Sequence, residues 1–162
     1  MNDEREVKLD RLRYTKNVAS SRLAILAILF DVFFFVSIYK SDVGSYYYNI
    51  LIGASILYNL IFMLAAFLSS EGVKNYKPAF SYLLLALGAI QIARIFILPM
   101  QAHAATITIK GVTSQVMKDG QFVRVVVYLC ISAVCCFVSA VINLRKSRAL
   151  AAHIASLQGQ KA

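Results

Sequence analysis

A chain of 162 residues is one domain long, yet its 59% hydrophobic residues, 15% charged residues and positive mean hydropathy exceed what a water-soluble core of that size requires. A formal charge of +9 would point to nucleic acid if it covered one compact face, but the basic residues flank long apolar blocks instead. That distribution excludes a nucleic-acid partner and a soluble fold, and it places the chain in a bilayer.

Residues 1–22 are rich in charge. The stretch from Glu4 to Tyr14 alternates in sign and sets Glu4 and Lys8 at the favourable i,i+4 spacing, so a cytoplasmic amphipathic helix is expected there. The first apolar block, 23–39, is the shortest. Its long charged flank, its interruption at Asp31 and the lack of a small-x-small cleavage site argue for a retained span rather than a cleaved signal peptide. A short loop with Lys40 and Asp42 leads to the second block, 50–68, and a connection with Lys74 and Lys77 leads to the third, 79–98.

A longer loop, 99–121, precedes the fourth block, 122–144. Thr106 to Ile109 alternates, Lys110-Gly111 suits a turn and Val112 to Val116 can pair back, so a small β-hairpin is expected, with Asp119-Gly120 turning the chain into span four. His103 has no second ligand at metal spacing and is assigned no role. In the tail, 145–162, Leu150, Ile154 and Leu157 share a helical face with His153, which is expected to be solvated on a continuing cytoplasmic helix.

Each block is about as long as a helix must be to cross a hydrocarbon core roughly 30 Å thick, and each is apolar on every face. Helices alone satisfy the backbone within such a segment. The expected fold class is therefore all-α: a polytopic integral membrane protein built as a four-helix transmembrane bundle. Arg11, Arg13, Lys16 and Arg22, then Lys74 and Lys77, then Arg145, Lys146 and Arg148 outweigh Lys40, Lys110, Lys118 and Arg124 on the other side. The excess puts both N- and C-termini in the cytoplasm and loop 99–121 outside. Tyr39, Tyr46, Tyr47 and Tyr48 would mark the outer interface, and Tyr76 and Tyr82 the inner one. The basic flanks also suit a lipid bilayer with anionic headgroups as partner.

Asp31 is the sharpest polar signal, since a charged side chain at mid-helix costs about 2.5 to 3.5 kcal/mol even on the lenient insertion scale. It lies ~13 Å from the boundary at Arg22, near the midplane, and the same counting brings Asn59 and Ser132 to similar depths. A polar layer with a hydrogen bond between Asp31 and Asn59 is expected. Ser20, Ala24, Ala27 and Asp31 share one face of span one; Ser55, Asn59, Ala66 and Ser70 share one of span two. Ala86, Ala89 and Ala93 do so on span three, and Ser132, Cys136, Ser139 and Asn143 on span four, so these small-residue stripes are the expected contacts. Gln91 and Arg94 flank the alanine stripe, with Arg94 expected to snorkel outward, to pair with Asp42 or Asp119, or to form an anion-binding entrance to a polar cleft. Arg94 is expected roughly two turns further outward than Asp31, so a direct pair between them would need an offset arrangement. Cys130, Cys135 and Cys136 fall inside span four as small apolar residues.

No nucleophile–base pair, metal cluster, P-loop, dinucleotide turn or Cys-x-x-Cys is present, so neither an enzyme nor a cofactor is expected. The expected function is a non-enzymatic membrane component, an accessory or interaction subunit that meets other membrane proteins or a second copy of itself. The alternative is an oligomeric transporter or channel using Asp31 as a proton or cation site. Size and the absence of targeting elements suggest a bacterial cytoplasmic membrane.

Overall fold

The computed structural model describes residues 2–39, 50–109 and 112–159. Lys40, Asp42, Tyr46, Tyr47, Tyr48 and the Lys110-Gly111 pair lie outside the described residues. The elements in chain order are α1 (Asn2–Tyr14), α2 (Val18–Tyr39), α3 (Ile50–Lys74), α4 (Pro78–Ile97), α5 (Pro99–Ala104), β1 (Thr106–Ile109), β2 (Val112–Gln115) and α6 (Asp119–Gly159). Among the described residues, four helices are long and apolar enough to cross a membrane: α2, α3, the stretch from Pro78 to Ala104, and α6. The chain is a mostly helical, multi-pass membrane protein.

The bundle is held along seams spaced three and four residues apart, the period at which straight helices stay in contact by supercoiling gently to the left. On the first seam Asn17, Ser20, Ala24, Ala27, Asp31, Phe34 and Ile38 are buried. Ser55, Asn59, Phe62, Ala66, Ser69 and Val73 are buried on α3 at the same spacing, and Val125, Leu129, Ser132, Cys136, Ser139 and Asn143 on α6. Small side chains dominate towards one end, where Ala24, Ala66, Cys136 and Ala140 let backbones approach around Phe62 and Leu84. At the other end Phe34, Ile38, Leu129, Val116 and Met117 form a second apolar cluster that plugs the bundle. The complementary faces carry Leu57, Leu60, Ile61, Leu64 and Phe67, all exposed, as a helix facing hydrocarbon requires.

Helix α2 begins before the apolar block, because Asn17, Ser20 and Ser21 are buried by the bundle. The turn between α3 and α4 is a Schellman motif: Lys77 N donates to Gly72 O at 3.1 Å and Tyr76 N to Val73 O at 3.1 Å. Tyr76 occupies the left-handed position, with φ 58°, that glycine usually fills. Gly72 is needed for packing instead, since a Cβ there would overlap the Phe80 ring. Pro78 and Pro99 open α4 and α5, where a missing N–H costs no helical bond.

Strands β1 and β2 pair antiparallel, with Thr106 opposite Gln115 and Thr108 opposite Thr113. The expected turn at Asp119-Gly120 does not form; both residues belong to the first turn of α6. A carboxylate at a helix N-terminus faces free N–H groups and a favourable dipole, which explains why Asp119 starts the helix here. Helix α6 then runs unbroken to Gly159 and meets α1 through His153, whose Nε2 is 3.5 Å from Asp10 Oδ1. His153 is 10% exposed rather than solvated, because α1 folds back against it.

Candidate functional site

Depth decides which polar groups meet. One end of the bundle is levelled by Asn17, whose N–H donates to Lys74 O at 2.9 Å, and by Asn143, whose Nδ2 donates to Lys77 O at 3.1 Å. From that level Asp31 and Gln91 both lie ~21 Å along their helices and Arg94 ~25 Å, less than one turn further. Arg94 is therefore within side-chain reach of Asp31. Its Nη1 donates to Asp31 Oδ1 at 3.0 Å, with both side chains almost fully buried. The expectations that Arg94 snorkels, or pairs with Asp119, are corrected; Asp119 Oδ1 lies 3.7 Å from His103 Nε2 instead. Helix α2 starts at Val18, several residues before the apolar block, and this lengthening brings Asp31 to the level of Gln91.

Gln91 completes the layer. Its Nε2 donates to Asp31 Oδ1 at 2.9 Å and to Ser132 Oγ at 3.3 Å, and its Oε1 accepts from Tyr58 Oη at 3.4 Å. Ser132 Oγ donates onward to Ala27 O at 2.9 Å. One network thus takes a residue from each of α2, α3, α4 and α6. Asn59 does not join it. It reaches the depth of Asp31, since Ser21 and Ser70 share a 2.8 Å bond and stand ~15 and ~16 Å below the two residues. Depth alone does not fix direction, however, and both amide atoms of Asn59 lack a partner among the described residues. Asp31 and Asn59 face a common cavity of about 180 Å³ with Phe35, Ile56 and Met63, and the Oδ2 of Asp31 likewise has no partner among the described residues.

The Arg94 guanidinium lies between two rings, 4.3 Å from the centroid of Phe34 and 4.6 Å from that of Tyr58. Cation–π contact with two rings and one carboxylate oxygen hold the charge inside the bundle. Its Nη2 has no partner among the described residues.

A second layer lies at the end that carries Lys74 and Lys77. Asn17 Nδ2 donates to Ser20 Oγ at 2.8 Å and to Asn143 Oδ1 at 3.1 Å, while Lys146 Nζ donates to Asn17 Oδ1 at 3.2 Å. Asn143 Nδ2 also donates to Ser81 Oγ at 2.7 Å, and Ser139 Oγ to Ser20 O at 2.7 Å. Sequence reasoning missed Asn17, Ser21 and Ser81. The signal was present for Asn17, which extends the Ser20, Ala24, Ala27, Asp31 spacing by one turn.

The remaining candidates are structural in their surroundings. Cys135 and Cys136 are buried, Cys130 is exposed on α6, and all three are free thiols. The His103 ring stacks on Phe122 at 4.4 Å, and its Nδ1 is 3.3 Å from Met117 O, which ties α5 to the start of α6. Among the described residues no group of three His, Cys, Asp or Glu side chains could hold a metal ion. The network joins helices and presents no nucleophile beside a base. Compared with known proteins, the chain matches no family model, no curated protein and no solved structure.

Proposed function

We propose that this protein is a non-enzymatic membrane component, an accessory or interaction subunit whose buried polar layers fix one arrangement of four helices. The observation that carries the reading is the state of Asp31. Its Oδ1 already accepts from Arg94 and from Gln91, so the carboxylate is charge-balanced inside the bundle. A mobile cation would have to compete with a guanidinium fixed between two aromatic rings. In this reading both termini lie in the cytoplasm, by the excess of Lys and Arg at that end, and those residues rest on anionic headgroups of a bacterial cytoplasmic membrane. The partners are other membrane proteins or a second copy of the chain.

The second reading is an oligomeric proton or cation pathway through Asp31. The free Oδ2 and the cavity it shares with Asn59 favour it. Two measurements separate the readings. Purification in mild detergent, with the retained proteins identified, is expected to return a defined partner or a homo-oligomer; a monodisperse monomer alone would count against an accessory subunit. In proteoliposomes, Asp31→Asn is expected to leave proton and cation flux at the background of empty vesicles, as in the wild type. Flux in the wild type that a folded Asp31→Asn variant loses would establish the pathway instead.

A further inference from the structure

Both polar layers join α2, α4 and α6, whereas α3 is tied to the bundle unevenly. Near Lys74 its bonds are short: Asn17 N donates to Lys74 O at 2.9 Å, and Ser70 Oγ lies 2.8 Å from Ser21 Oγ. At mid-bundle, among the described residues, the one hydrogen bond from an α3 side chain to another helix is that of Tyr58 Oη to Gln91 Oε1, the longest in its network at 3.4 Å. Gaps in the packing flank this part of α3. The cavity of about 180 Å³ separates it from α2, and a groove of about 220 Å³, lined by Ala54, Tyr58 and Ala93, separates it from α4.

Adjacent residues of α3 face these two gaps. Tyr58 turns to α4, where its ring centroid lies 4.6 Å from the Arg94 guanidinium, and Asn59, ~100° round the helix, turns to the cavity with α2. Asp31 lines that cavity too, while Gln91 and Arg94, which hold its Oδ1, do not, so Oδ2 is left for the cavity side. The Asn59 amide and Asp31 Oδ2 are a donor and an acceptor, each without a partner among the described residues, and a buried amide in that state is costly. Asn59 stands ~16 Å from Ser70 along α3, so a tilt of about 7° about that anchor moves it ~2 Å, the scale of ordinary helix shifts. We propose that α3 rocks about Ser70 between two positions: the one described, with Tyr58 on Gln91 and Arg94, and one in which Asn59 Nδ2 donates to Asp31 Oδ2, the cavity closes and the groove widens. The exchange gives up the Tyr58 contacts for the Asn59 bond, which keeps the two positions close in energy. The Asp31–Arg94 pair and the register of α2, α4 and α6 are the same in both.

Disulfide trapping in proteoliposomes tests the motion, with the full chain and with Cys130, Cys135 and Cys136 replaced by alanine. Phe35→Cys with Ile56→Cys reports closure of the cavity, and Ala54→Cys with Ala93→Cys reports closure of the groove. Both pairs are expected to form under mild oxidation. Asn59→Ala removes the amide without filling the cavity and is expected to slow the cavity pair at least threefold while speeding the groove pair. Tyr58→Phe removes only the bond to Gln91 and is expected to do the reverse, with circular dichroism confirming intact helices throughout. A cavity pair that forms in none of the proteins, rates indifferent to both substitutions, two pairs that speed or slow together, or a faster cavity pair in Asn59→Ala would each overturn the proposal.

Discussion

Replacing Asp31 and Arg94 by leucine, singly and together, tests whether the mid-bundle pair is one unit. At a separation of 3.0 Å and an effective dielectric of about 20, the gross attraction is about 5 kcal/mol, most of it offset by the loss of hydration. Asp31→Leu leaves a guanidinium between Phe34 and Tyr58 with no counter-charge, and Arg94→Leu leaves a carboxylate held by Gln91 alone. Each single variant is expected to cost about 3–5 kcal/mol, the usual penalty for orphaning a buried charge. The double variant fills the same space with hydrocarbon and is expected within about 1 kcal/mol of the wild type. The cycle should therefore show a coupling of at least about 5 kcal/mol. Reversible unfolding in mixed detergent micelles, followed by far-ultraviolet circular dichroism, measures all four proteins. If the double variant lost the sum of the two single losses to within about 0.5 kcal/mol, the residues would be independent and the network as described would be wrong.

Asn59 and Gln91 stand at one depth but differ in their bonds, so the same unfolding measurement should separate them. Asn59→Leu removes a side chain with no partner and is expected to be neutral or stabilising by about 1 kcal/mol, whereas Gln91→Leu removes a connected one and should cost about 1–3 kcal/mol; the reverse order would contradict the assigned partners. Gly72→Ala is expected to cost about 1–3 kcal/mol through overlap with Phe80, and Phe80→Leu introduced beside it should recover part of the loss; additive losses would rule out that contact. Tyr76→Gly and Tyr76→Ala both remove the ring, but only glycine relieves the left-handed backbone, so the glycine variant should unfold about 1 kcal/mol later than the alanine one. Equal stabilities would mean that Tyr76 does not hold that conformation.

Side-chain size and spacing made the seams legible in the sequence, because close approach in a membrane depends on small residues recurring every three or four positions. Ser20, Ala24, Ala27 and Asp31 on α2, Ser55, Asn59, Ala66 and Ser70 on α3, and Ser132, Cys136, Ser139 and Asn143 on α6 are all buried, but the stripe expected on α4 is corrected: Ala86, Ala89 and Ala93 are exposed, because α4 turns the face of Ser81, Leu84, Leu87, Gly88, Gln91 and Arg94 inward. Partner choice was not legible. Apolar blocks locate a span only to within a turn, and the polar residues at positions 17 to 22 look like a flank although Asn17, Ser20 and Ser21 are inside the bundle. That displacement moved Arg94 out of reach of Asp31 on paper. Direction failed for a different reason. Asn59 and Gln91 are both amides near the depth of Asp31, and only the rotation of each helix about its axis decides which of them points at the carboxylate. The longer reach of Gln and Arg across the bundle then settles it.

Within hydrocarbon no hydrophobic force distinguishes one register of packed helices from another, since lipid tails satisfy an apolar face as well as a neighbouring helix does. Apolar seams permit contact, but sliding α4 by one turn along α6 would keep apolar residues opposed while moving each polar group ~5.4 Å. Such a slip separates Gln91 from Asp31 and, at the other end of the same helix, Ser81 from Asn143. Two layers ~15 Å apart on one helix therefore penalise translation twice, and because Gln91 engages both α2 and α6 while Ser81 engages α6, they also resist tilting. The polar layers need not add much net stability to have this effect. They need only make every other register leave buried hydrogen-bonding groups unmatched, a penalty that a seam of alanine and leucine alone cannot impose.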